Sequence, residues 1–298
     1  MSTGMLLVDK PGGITSHDVV AIARRALGER KVGHAGTLDP MATGLLLLGV
    51  GSATRLLTYL VGLDKTYRAT VRLGAATTTD DAEGEIVSTA DASRITPAVL
   101  ENALATQRGD LDQAPSAVSA IKVDGRRAYD RVRAGEDVQL PPRRVTVHRL
   151  DLLGSRVEGG HLDLDIDLDC SSGTYVRAIA RDLGAALGVG GHLTALRRTR
   201  VGPFAVADAV PAGSRAEPGF GAGDLRPAGE IAGALFPTRE LDDDQVRALA
   251  QGKRLELDGP DLPVLAALRR DGALAGLVEV RAGRARVLLN LPTSEVLA

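Results

Sequence analysis

The sequence predicts a two-domain protein of mixed α and β structure, and three observations lead to this prediction. The chain has 298 residues, which is more than one typical domain contains. Short apolar runs of strand length alternate with segments whose apolar residues recur at helical spacing. The stretch 211–234 is rich in glycine, alanine and proline and interrupts this pattern. It is therefore the best candidate for a domain boundary.

The N-terminal part alternates strand and helix patterns. A strand at residues 5–8 leads through a Lys-Pro-Gly-Gly turn into a helix that begins near Thr15 or Ser16, since either is a good N-cap. The apolar run 45–50 is short enough for a buried strand, and a short helix follows at 52–60. Residues 67–73 alternate as a strand, and Thr96 with Pro97 forms a capped helix start.

Residues 143–170 are predicted to form two strands, the second with strict alternation. Its apolar and acidic positions are Leu162, Leu164, Ile166 and Leu168 against Asp163, Asp165, Asp167 and Asp169. One face should therefore be buried and the other acidic and solvated. Basic residues on the preceding strand, namely Arg144, His148 and Arg149, are expected to pair with some of these carboxylates. We expect the acidic face to point away from any RNA.

The part of the chain after residue 170 contains one clear helix and then a small β-rich region. Residues 174–188 carry a continuous apolar stripe that ends at Gly188. After the 211–234 stretch, the acidic residues 242–244 suit a helix N-terminus. Three short apolar strands follow, around Val264, Leu277 and Val287.

Composition restricts the class of function without identifying it. The net charge of -2 neither indicates nor excludes a polyanionic partner, because local patches matter more than the total. With three Phe, four Tyr and no Trp, the chain has few platforms for binding single strands mainly by base stacking. The single cysteine, Cys170, cannot form an internal disulfide, and no Cys/His group has zinc-ligand spacing, so no metal is expected.

Two further patterns, a nucleotide-like loop and an acidic cluster, are weak indications of a ligand. The loop 48–54 lacks the third glycine of a dinucleotide fingerprint. The acidic residues at 80–83 lack calcium-loop spacing and are interpreted as a turn. The N-terminus has no signal-peptide pattern, and no apolar run approaches the roughly 20 residues that span a bilayer. A cytoplasmic protein without membrane association is expected.

The glycine-rich loop at residues 33–44 is the strongest candidate for chemistry. It reads GHAGTLDPMATG and places a histidine, an aspartate and a proline among three glycines. Pro40 restricts Asp39 to extended conformations, and glycines permit a close approach of backbone to a ligand. Asp39 is therefore a candidate nucleophile or base, although aspartates in such loops more often serve turns.

Five collinear motifs resemble those of the TruB family of pseudouridine synthases. They are the segments 7–16 (LVDKPGGITS), 33–44, 64–69 (DKTYRA), 172–177 (SGTYVR) and 191–198 (GHLTALRR). They follow the family order over residues 1 to about 210, and five collinear matches make coincidence negligible.

The resemblance implies an architecture. A pseudouridine-synthase fold with a mixed, mainly antiparallel central sheet is expected at 1–211, with a tRNA-clamping insertion at 115–143. A linker at 212–235 and a small C-terminal β-rich, PUA-like RNA-binding domain at 236–298 would follow. The match of the C-terminal region is looser.

The resemblance also implies a reaction, in which the T-loop uridine of tRNA is isomerised to pseudouridine. The base is cut from its ribose, rotated and rejoined through carbon, which needs no redox step and no cofactor. Asp39 takes the role of the essential carboxylate, by covalent attack or by removing a proton from the sugar, and the sequence leaves both open. Arg177 would pair with Asp39 and keep it ionised. Tyr67 would stack on the base and accept or relay a proton. Without the motif, Arg177 would be taken for a surface helix residue and Tyr67 for a half-buried strand residue.

The target uridine lies in a folded loop and has to be flipped out before reaction. By resemblance His34 fills the gap, and Tyr175 and Leu196 line the base pocket. The ordinary alternatives are a hydrogen-bonded surface histidine for His34 and a helical core residue for Leu196.

A locally basic segment supports RNA binding independently of the family motifs. It spans residues 115–149, and its basic side chains proposed to contact phosphates include Lys122, Arg126, Arg127, Arg143 and Arg144. A solvated loop is the alternative. The segment resembles the insertion with which stand-alone bacterial enzymes clamp the T arm, which argues against a guide RNA. A monomer is expected. A tRNA-folding chaperone in which catalysis is secondary is the competing hypothesis.

Overall fold

The computed structural model describes residues 3–116, 122–123, 126–127, 141–253 and 255–297, with only the backbone at 122–123, 126–127 and 295. The chain forms two compact units. The first comprises residues 1–40, 44–61 and 203–298, and the second comprises residues 41–43 and 62–202.

One group of strands in the first unit pairs around β1. Strand β1 pairs in antiparallel fashion with β3 and in parallel with β14, and β2 pairs in antiparallel fashion with β3. The bounds are β1 (Gly4–Lys10), β2 (Val32–His34), β3 (Thr43–Val50), β13 (Phe204–Ala205) and β14 (Val210–Pro211). A 3-10 turn (Gly51–Leu56) continues into α2 (Leu57–Val61), as the sequence predicts.

Helix α1 (Ser16–Leu27) begins where the sequence predicts, because Thr15 caps it. The Thr15 side chain accepts a hydrogen bond from the Asp18 N–H at 3.1 Å, and the Asp18 carboxylate accepts from the Thr15 N–H at 3.0 Å. This reciprocal capping box satisfies two N-terminal donors. Gly28 ends the helix in the left-handed conformation.

The C-terminal residues of the first unit form a five-stranded sheet, as the β-rich pattern predicts. The strand order is β15-β17-β18-β19-β16. The bounds are β15 (Thr238–Glu240), β16 (Leu255–Glu256), β17 (Leu262–Leu268), β18 (Leu274–Arg281) and β19 (Arg284–Asn290). Within the same unit, the helices following Pro227 are α5 (Ala228–Leu235), α6 (Asp243–Ala250) and α7 (Thr293–Val296).

The segment 212–235 contains regular structure. Arg226 exchanges two backbone hydrogen bonds with Met5 at 2.8 and 2.9 Å, and Ala212 is buried. The segment also contains a 3-10 turn (Ala222–Asp224) and α5. The division of the chain at 212–235 into two functional domains stays a prediction.

The second unit contains an antiparallel sheet of five strands in the order β12-β4-β11-β10-β7. Its strands are β4 (Lys65–Leu73), β7 (Gly109–Gln113), β10 (Arg143–Glu158), β11 (His161–Cys170) and β12 (Gly191–Val201). Two hairpins are β5 (Ala75–Thr77) with β6 (Ile86–Thr89), and β8 (Lys122–Val123) with β9 (Arg126–Arg127). The mixed and mainly antiparallel sheet architecture is confirmed.

In the described part of this unit, two helices accompany the sheet. Helix α3 (Pro97–Ala105) is capped by Thr96, as predicted. Helix α4 (Val176–Ala186) buries Ile179, Ala180 and Leu183. It begins two residues later than the apolar pattern suggests, because Tyr175 is the extended N-cap residue.

The alternating strand β11 has its apolar face buried, as predicted, but its acidic face is paired with arginines. Asp163 is buried and lies 2.7 Å from Arg72 Nε on β4. Arg149 contacts Asp167 and Asp169, which confirms one of the three predicted cross-strand cations.

The other two cross-strand pairings are wrong. Arg144 lies 3.1 Å from Asp110, because strand β7 flanks β10 on the side away from β11. His148 lies 3.3 Å from Asp64. Within the described ranges, none of the helices is long and apolar enough to cross a membrane.

Candidate active site

The glycine-rich loop of the first unit connects β2 to β3 and carries both His34 and Asp39. His34 is the last residue of β2 rather than a loop residue, and it pairs with Leu48 of β3. Gly36 has a φ of 91°, a conformation that residues with a side chain rarely adopt. The glycine therefore allows the chain to turn directly after β2, three residues before Asp39.

The backbone on both sides of Asp39 is fixed by contacts from the first motif. The hydroxyl of buried Ser16 donates to the Leu38 carbonyl at 3.1 Å and accepts from the Leu38 N–H at 2.9 Å. The Pro40 carbonyl accepts from Lys10 Nζ at 3.1 Å and from the Gly13 N–H at 2.9 Å. The half-buried Asp39 therefore sits between two main-chain anchors.

Lys10 is completely buried, and its ammonium donates hydrogen bonds to several main-chain carbonyls. Besides Pro40, its ammonium donates to the Pro11 carbonyl at 2.8 Å and to the Ile14 carbonyl at 2.7 Å. These charge-assisted bonds hold the turn 11–14 against the loop. They explain why a lysine and a proline-glycine turn precede the helix in this motif.

His34 is packed against a second histidine. The rings of His17 and His34 meet edge to face with their centroids 5.5 Å apart. His17 lies in the first turn of α1, so the helix N-terminus limits the orientation of the His34 ring.

Tyr67 lies on β4 of the second unit, as predicted, and is 7% exposed. Its register partners are Leu168 on β11 and Arg198 on β12. Two residues earlier on the same face, Lys65 is also buried. Burial lowers the pKa of Lys65 to about 8, and the positive charge of Arg198 adds to the shift, opposed by Cys170 and Asp64.

Arg177 lies in the first turn of α4 and is buried, which excludes the ordinary surface-arginine interpretation. Its guanidinium donates to the Thr79 carbonyl at 2.9 Å and lies 3.3 Å from the carboxylate of Asp81. Both side chains of this ion pair are more than nine-tenths buried. The sequence interpretation treated Asp81 as part of an acidic turn, so its role as a partner of Arg177 was missed.

Tyr175 is held through its backbone at the N-terminus of α4. The side-chain amide of Gln113 accepts from the Tyr175 N–H at 2.7 Å and donates to the Tyr175 carbonyl at 3.1 Å. Gln113 is buried at the end of β7. Nothing in the local sequence pattern links Gln113 to Tyr175, because the two are distant along the chain.

Leu196 lies on strand β12, so the helical interpretation of this residue is wrong. The register of β12 against β4 shifts between Leu193 and Ala195, and this bulge lets two buried leucines stand three residues apart. A spacing of three between buried residues is also typical of a helix, which is why the sequence pattern is misleading here. Leu196 is 7% exposed and pairs with Ala69 of β4.

The basic segment is described only in part. Arg143 and Arg144 are exposed at the start of β10, and Arg144 is also paired with Asp110. Lys122, Arg126 and Arg127 lie in the hairpin of β8 and β9, where the side chains are outside the described residues. In the described part of the chain, no group of His, Cys, Asp or Glu has the arrangement of a metal site.

The predicted site residues therefore fall into two groups, each assembled in its own unit. In the first unit, His34 ends strand β2 and Asp39 lies in the loop that follows. Tyr67, Tyr175, Arg177 and Leu196 come from β4, α4 and β12 of the second unit. The pairing of Arg177 with Asp39 stays a prediction.

Three family models match consecutive parts of the chain. They are "TruB family pseudouridylate synthase (N terminal domain)" at residues 24–176, "tRNA pseudouridylate synthase B C-terminal domain" at 177–212, and "tRNA Pseudouridine synthase II, C terminal" at 236–292. The first spans more than half of the chain.

Close relatives cover nearly the whole chain. The chain is 55% identical to tRNA pseudouridine synthase B of Leifsonia xyli subsp. xyli, over 99% of each chain. It is 51% identical to the protein of the same name from Arthrobacter sp., again over 99% of each chain. The chain belongs to the TruB family of pseudouridylate synthases.

Solved structures with the same fold are more distant in sequence. An H/ACA ribonucleoprotein bound to a substrate RNA containing 2'-deoxyuridine has a TM-score of 0.69 at 22% identity, covering 97% of this chain and 84% of that chain. A Cbf5-Nop10-Gar1 complex has a TM-score of 0.67 at 24% identity, covering 99% and 81%. At these identities the likeness concerns the fold alone.

Proposed function

We propose that the protein converts uridine 55 of the T loop of tRNA to pseudouridine, as a stand-alone isomerase. The curated relatives that share half of its residues are named tRNA pseudouridine synthase B. The observation that carries the proposal is the placement of Asp39 in the motif loop, with the backbone anchored at Leu38 and at Pro40. Such anchoring preorganises a carboxylate for chemistry on a bound substrate.

The reaction breaks the bond between N1 of uracil and C1' of ribose and forms a bond between C5 and C1'. The proton leaves C5 and a proton occupies N1 in the product, so atoms and electrons balance without a redox partner or cofactor. Asp39 either attacks covalently or removes a proton from the sugar. In the proposed site Arg177 pairs with Asp39 and favours its ionised form.

The remaining site residues handle the base. Tyr67 stacks on the extracted uracil and accepts or relays the proton from C5. His34 fills the gap left by the flipped nucleotide, and its edge-to-face contact with His17 supports a defined ring orientation. Tyr175 and Leu196 line the base pocket, and the Gln113 amide supports the Tyr175 backbone.

The proposed RNA partner is the T arm of tRNA, bound without a guide RNA by a monomer in the cytoplasm. The exposure of Arg143 and Arg144 supports a phosphate contact at the start of β10. We assign the insertion at 115–143 to clamping of the T arm, with Lys122, Arg126 and Arg127 as further phosphate contacts. The catalytic domain would span 1–211, and the sheet of β15 to β19 would act as the PUA-like RNA-binding domain at 236–298.

The test is a tritium-release assay with unmodified tRNA labelled at uridine C5, beside the same tRNA with the T-loop uridine replaced by cytidine. We expect stoichiometric release from the first tRNA and none from the second. Tight binding of both tRNAs without release from either would reject the isomerase and favour a folding chaperone. Equal release from both would move the reaction to another uridine.

A further inference from the structure

Helix α4 holds the turn at residues 79–81 with two arginines. Arg177 contacts Thr79 and Asp81 as described above. Arg181 stands one helical turn later, and its Nη1 atom lies 3.3 Å from the carboxylate of Asp80. Residues four apart lie on the same helix face. One face of α4 therefore fixes three consecutive residues of the turn.

Arg181 makes a second contact, to the end of strand β7. Its Nη2 atom donates to the Ala114 carbonyl at 2.8 Å. The preceding residue, Gln113, holds both backbone groups of Tyr175. These contacts form a closed circuit. Gln113 binds the backbone of Tyr175 at the start of α4, Ala114 follows Gln113 in the chain, and Arg181 links Ala114 back to the same helix. Tyr175 and Arg177 both lie inside this circuit.

Asp80, which Arg181 contacts, has a strained backbone conformation and a largely buried side chain. Its φ is 59°, in the left-handed region, and its carbonyl accepts from the Leu193 N–H of β12 at 3.0 Å. Burial raises the pKa of Asp80, and the charges of Arg181 and Arg177 oppose that rise. Arg181 therefore compensates a carboxylate that the fold places in an unfavourable environment.

We propose that Arg181 is a positioning residue for the isomerisation, because it ties the 79–81 turn and the end of β7 to the helix that carries Arg177 and Tyr175. The inference rests on the proposed function, in which these two residues act at the flipped base. An arginine suits the position since its planar fork contacts Asp80 and Ala114 simultaneously. A lysine ammonium is a compact point charge without the planar fork of the guanidinium, so it is less suited to span these two acceptors.

The experiment measures single-turnover tritium release at saturating enzyme, together with tRNA affinity over a range of salt concentrations. Wild type is compared with Arg181→Met, Arg181→Lys and Asp80→Asn. Asn tolerates the left-handed conformation, so Asp80→Asn removes charge without adding backbone strain. Asp182→Asn is the matched control. Asp182 accepts a hydrogen bond from Arg181 Nε at 2.9 Å, and this bond involves neither the 79–81 turn nor Ala114.

We expect Arg181→Met to slow the single-turnover rate by roughly tenfold to a hundredfold, with the tRNA dissociation constant within about twofold of wild type. Arg181→Lys should recover part of the rate, and Asp182→Asn should match wild type. Should Arg181→Met fail to fold, Asp80→Asn decides, with a severalfold lower rate at unchanged affinity expected.

Three results would overturn the inference. A folded Arg181→Met protein with the wild-type rate removes Arg181 from positioning, as does a wild-type rate in Asp80→Asn. Loss of affinity equal to the loss of rate, with a shallower salt dependence, identifies a phosphate contact instead. Absence of release by wild type rejects the proposed function itself, whereas wild-type turnover with an unaffected Arg181→Met rejects the positioning role alone.

Discussion

The two units hold their proposed catalytic residues by different means. In the first unit, anchors act on the main chain beside Asp39, through the Ser16 hydroxyl and the Lys10 ammonium. In the second, Arg177 is held through its own charged side chain by the buried carboxylate of Asp81. We therefore expect Asp39→Asn to alter mainly chemistry, because the main-chain anchors beside Asp39 remain in place. A change to the partner of Arg177 should alter both chemistry and stability.

The largest expected effect is on turnover by Asp39→Asn. Asn keeps the size and loses the charge, so tritium release should fall by roughly 10³-fold or more, as for loss of an essential group in other enzymes. The melting temperature and the tRNA dissociation constant should stay close to wild type, because the anchors at Leu38 and Pro40 remain. Asp208→Asn, at an exposed aspartate of the same unit, should change none of the three quantities. Turnover near wild type in Asp39→Asn would falsify the proposed role of Asp39.

Asp81→Asn tests the opposite arrangement. It leaves the Arg177 guanidinium buried beside a neutral side chain. Removal of one partner from a buried ion pair typically costs about 3–5 kcal/mol of unfolding free energy, and a second carboxylate such as that of Asp39, the proposed partner of Arg177, would reduce this cost. Chemical denaturation should show this loss, and the single-turnover rate should also fall because Arg177 loses its orientation.

The control for Asp81→Asn is Glu230→Gln, which breaks the partly exposed pair with Arg226 in the first unit. Exposed pairs contribute roughly 0–1 kcal/mol, so that variant should unfold almost as wild type does. Equal destabilisation by Asp81→Asn and Glu230→Gln would contradict the comparison between the two units.

Much of the fold could be predicted from the sequence wherever local rules agree with tertiary packing. The Thr15 and Thr96 caps, the helix that ends near Gly188 and the alternating strand β11 all follow from nearest-neighbour chemistry. Leu196 shows where such rules fail. A β-bulge changes the spacing of buried residues from two to three, and only the partner strand β4 reveals it.

The residues of the candidate site also divide into those that the sequence predicts and those that only the structure reveals. Family motifs carry Asp39, Tyr67 and Arg177, since they lie in contiguous segments of distinctive sequence. The residues that hold them, such as Gln113 and Asp81, act across long separations along the chain, 62 residues in the case of Gln113 and Tyr175. A single sequence carries no signal for such contacts. The acidic turn was visible, but its pairing with α4 required the structure.

The pH dependence of the unfolding free energy gives a further test of the second unit, because Lys65 is a buried cation on the same strand as Tyr67. Its pKa falls from 10.5 to about 8 on folding, through burial and the charge of Arg198, with Cys170 and Asp64 acting in the opposite direction. Between these two pH values the unfolded chain binds more protons than the folded one, so this contribution makes the protein more stable as pH rises. At 1.36 kcal/mol per pKa unit, the full change is roughly 3 kcal/mol.

The measurement is the unfolding free energy of wild type and Lys65→Met from pH 7 to pH 10.5. The difference, wild type minus variant, should increase with pH across the window from about 8 to 10.5. Burial also raises the pKa of Cys170, to about 11, which lowers stability at alkaline pH. The Lys65 charge lowers the Cys170 pKa, so loss of that charge in Lys65→Met raises the Cys170 pKa further. The variant then loses more stability at alkaline pH, which adds to the expected increase in the difference. A pH-independent difference would mean that Lys65 keeps an ordinary pKa in the folded protein.

The smallest expected effect comes from two adjacent residues at the start of α1, Thr15 and Ser16. Thr15→Ala removes the helix cap, and Ser16→Ala removes both hydrogen bonds to Leu38. Each should destabilise the protein by about 1–2 kcal/mol. Only Ser16→Ala releases the backbone beside Asp39, so only it should lower the single-turnover rate, by roughly tenfold.

Both variants change the start of α1 and should lose similar unfolding free energy. A difference between their single-turnover rates therefore reports the effect of the main-chain anchor at Leu38 and not of general destabilisation. Assays are run well below both melting temperatures, so that unfolded enzyme does not contribute. Equal rates in Thr15→Ala and Ser16→Ala would show that the Ser16 contact stabilises the fold without positioning Asp39. The carboxylate would then depend on Lys10 and Gly13 at Pro40, and Lys10→Met would be expected to lower the rate in place of Ser16→Ala.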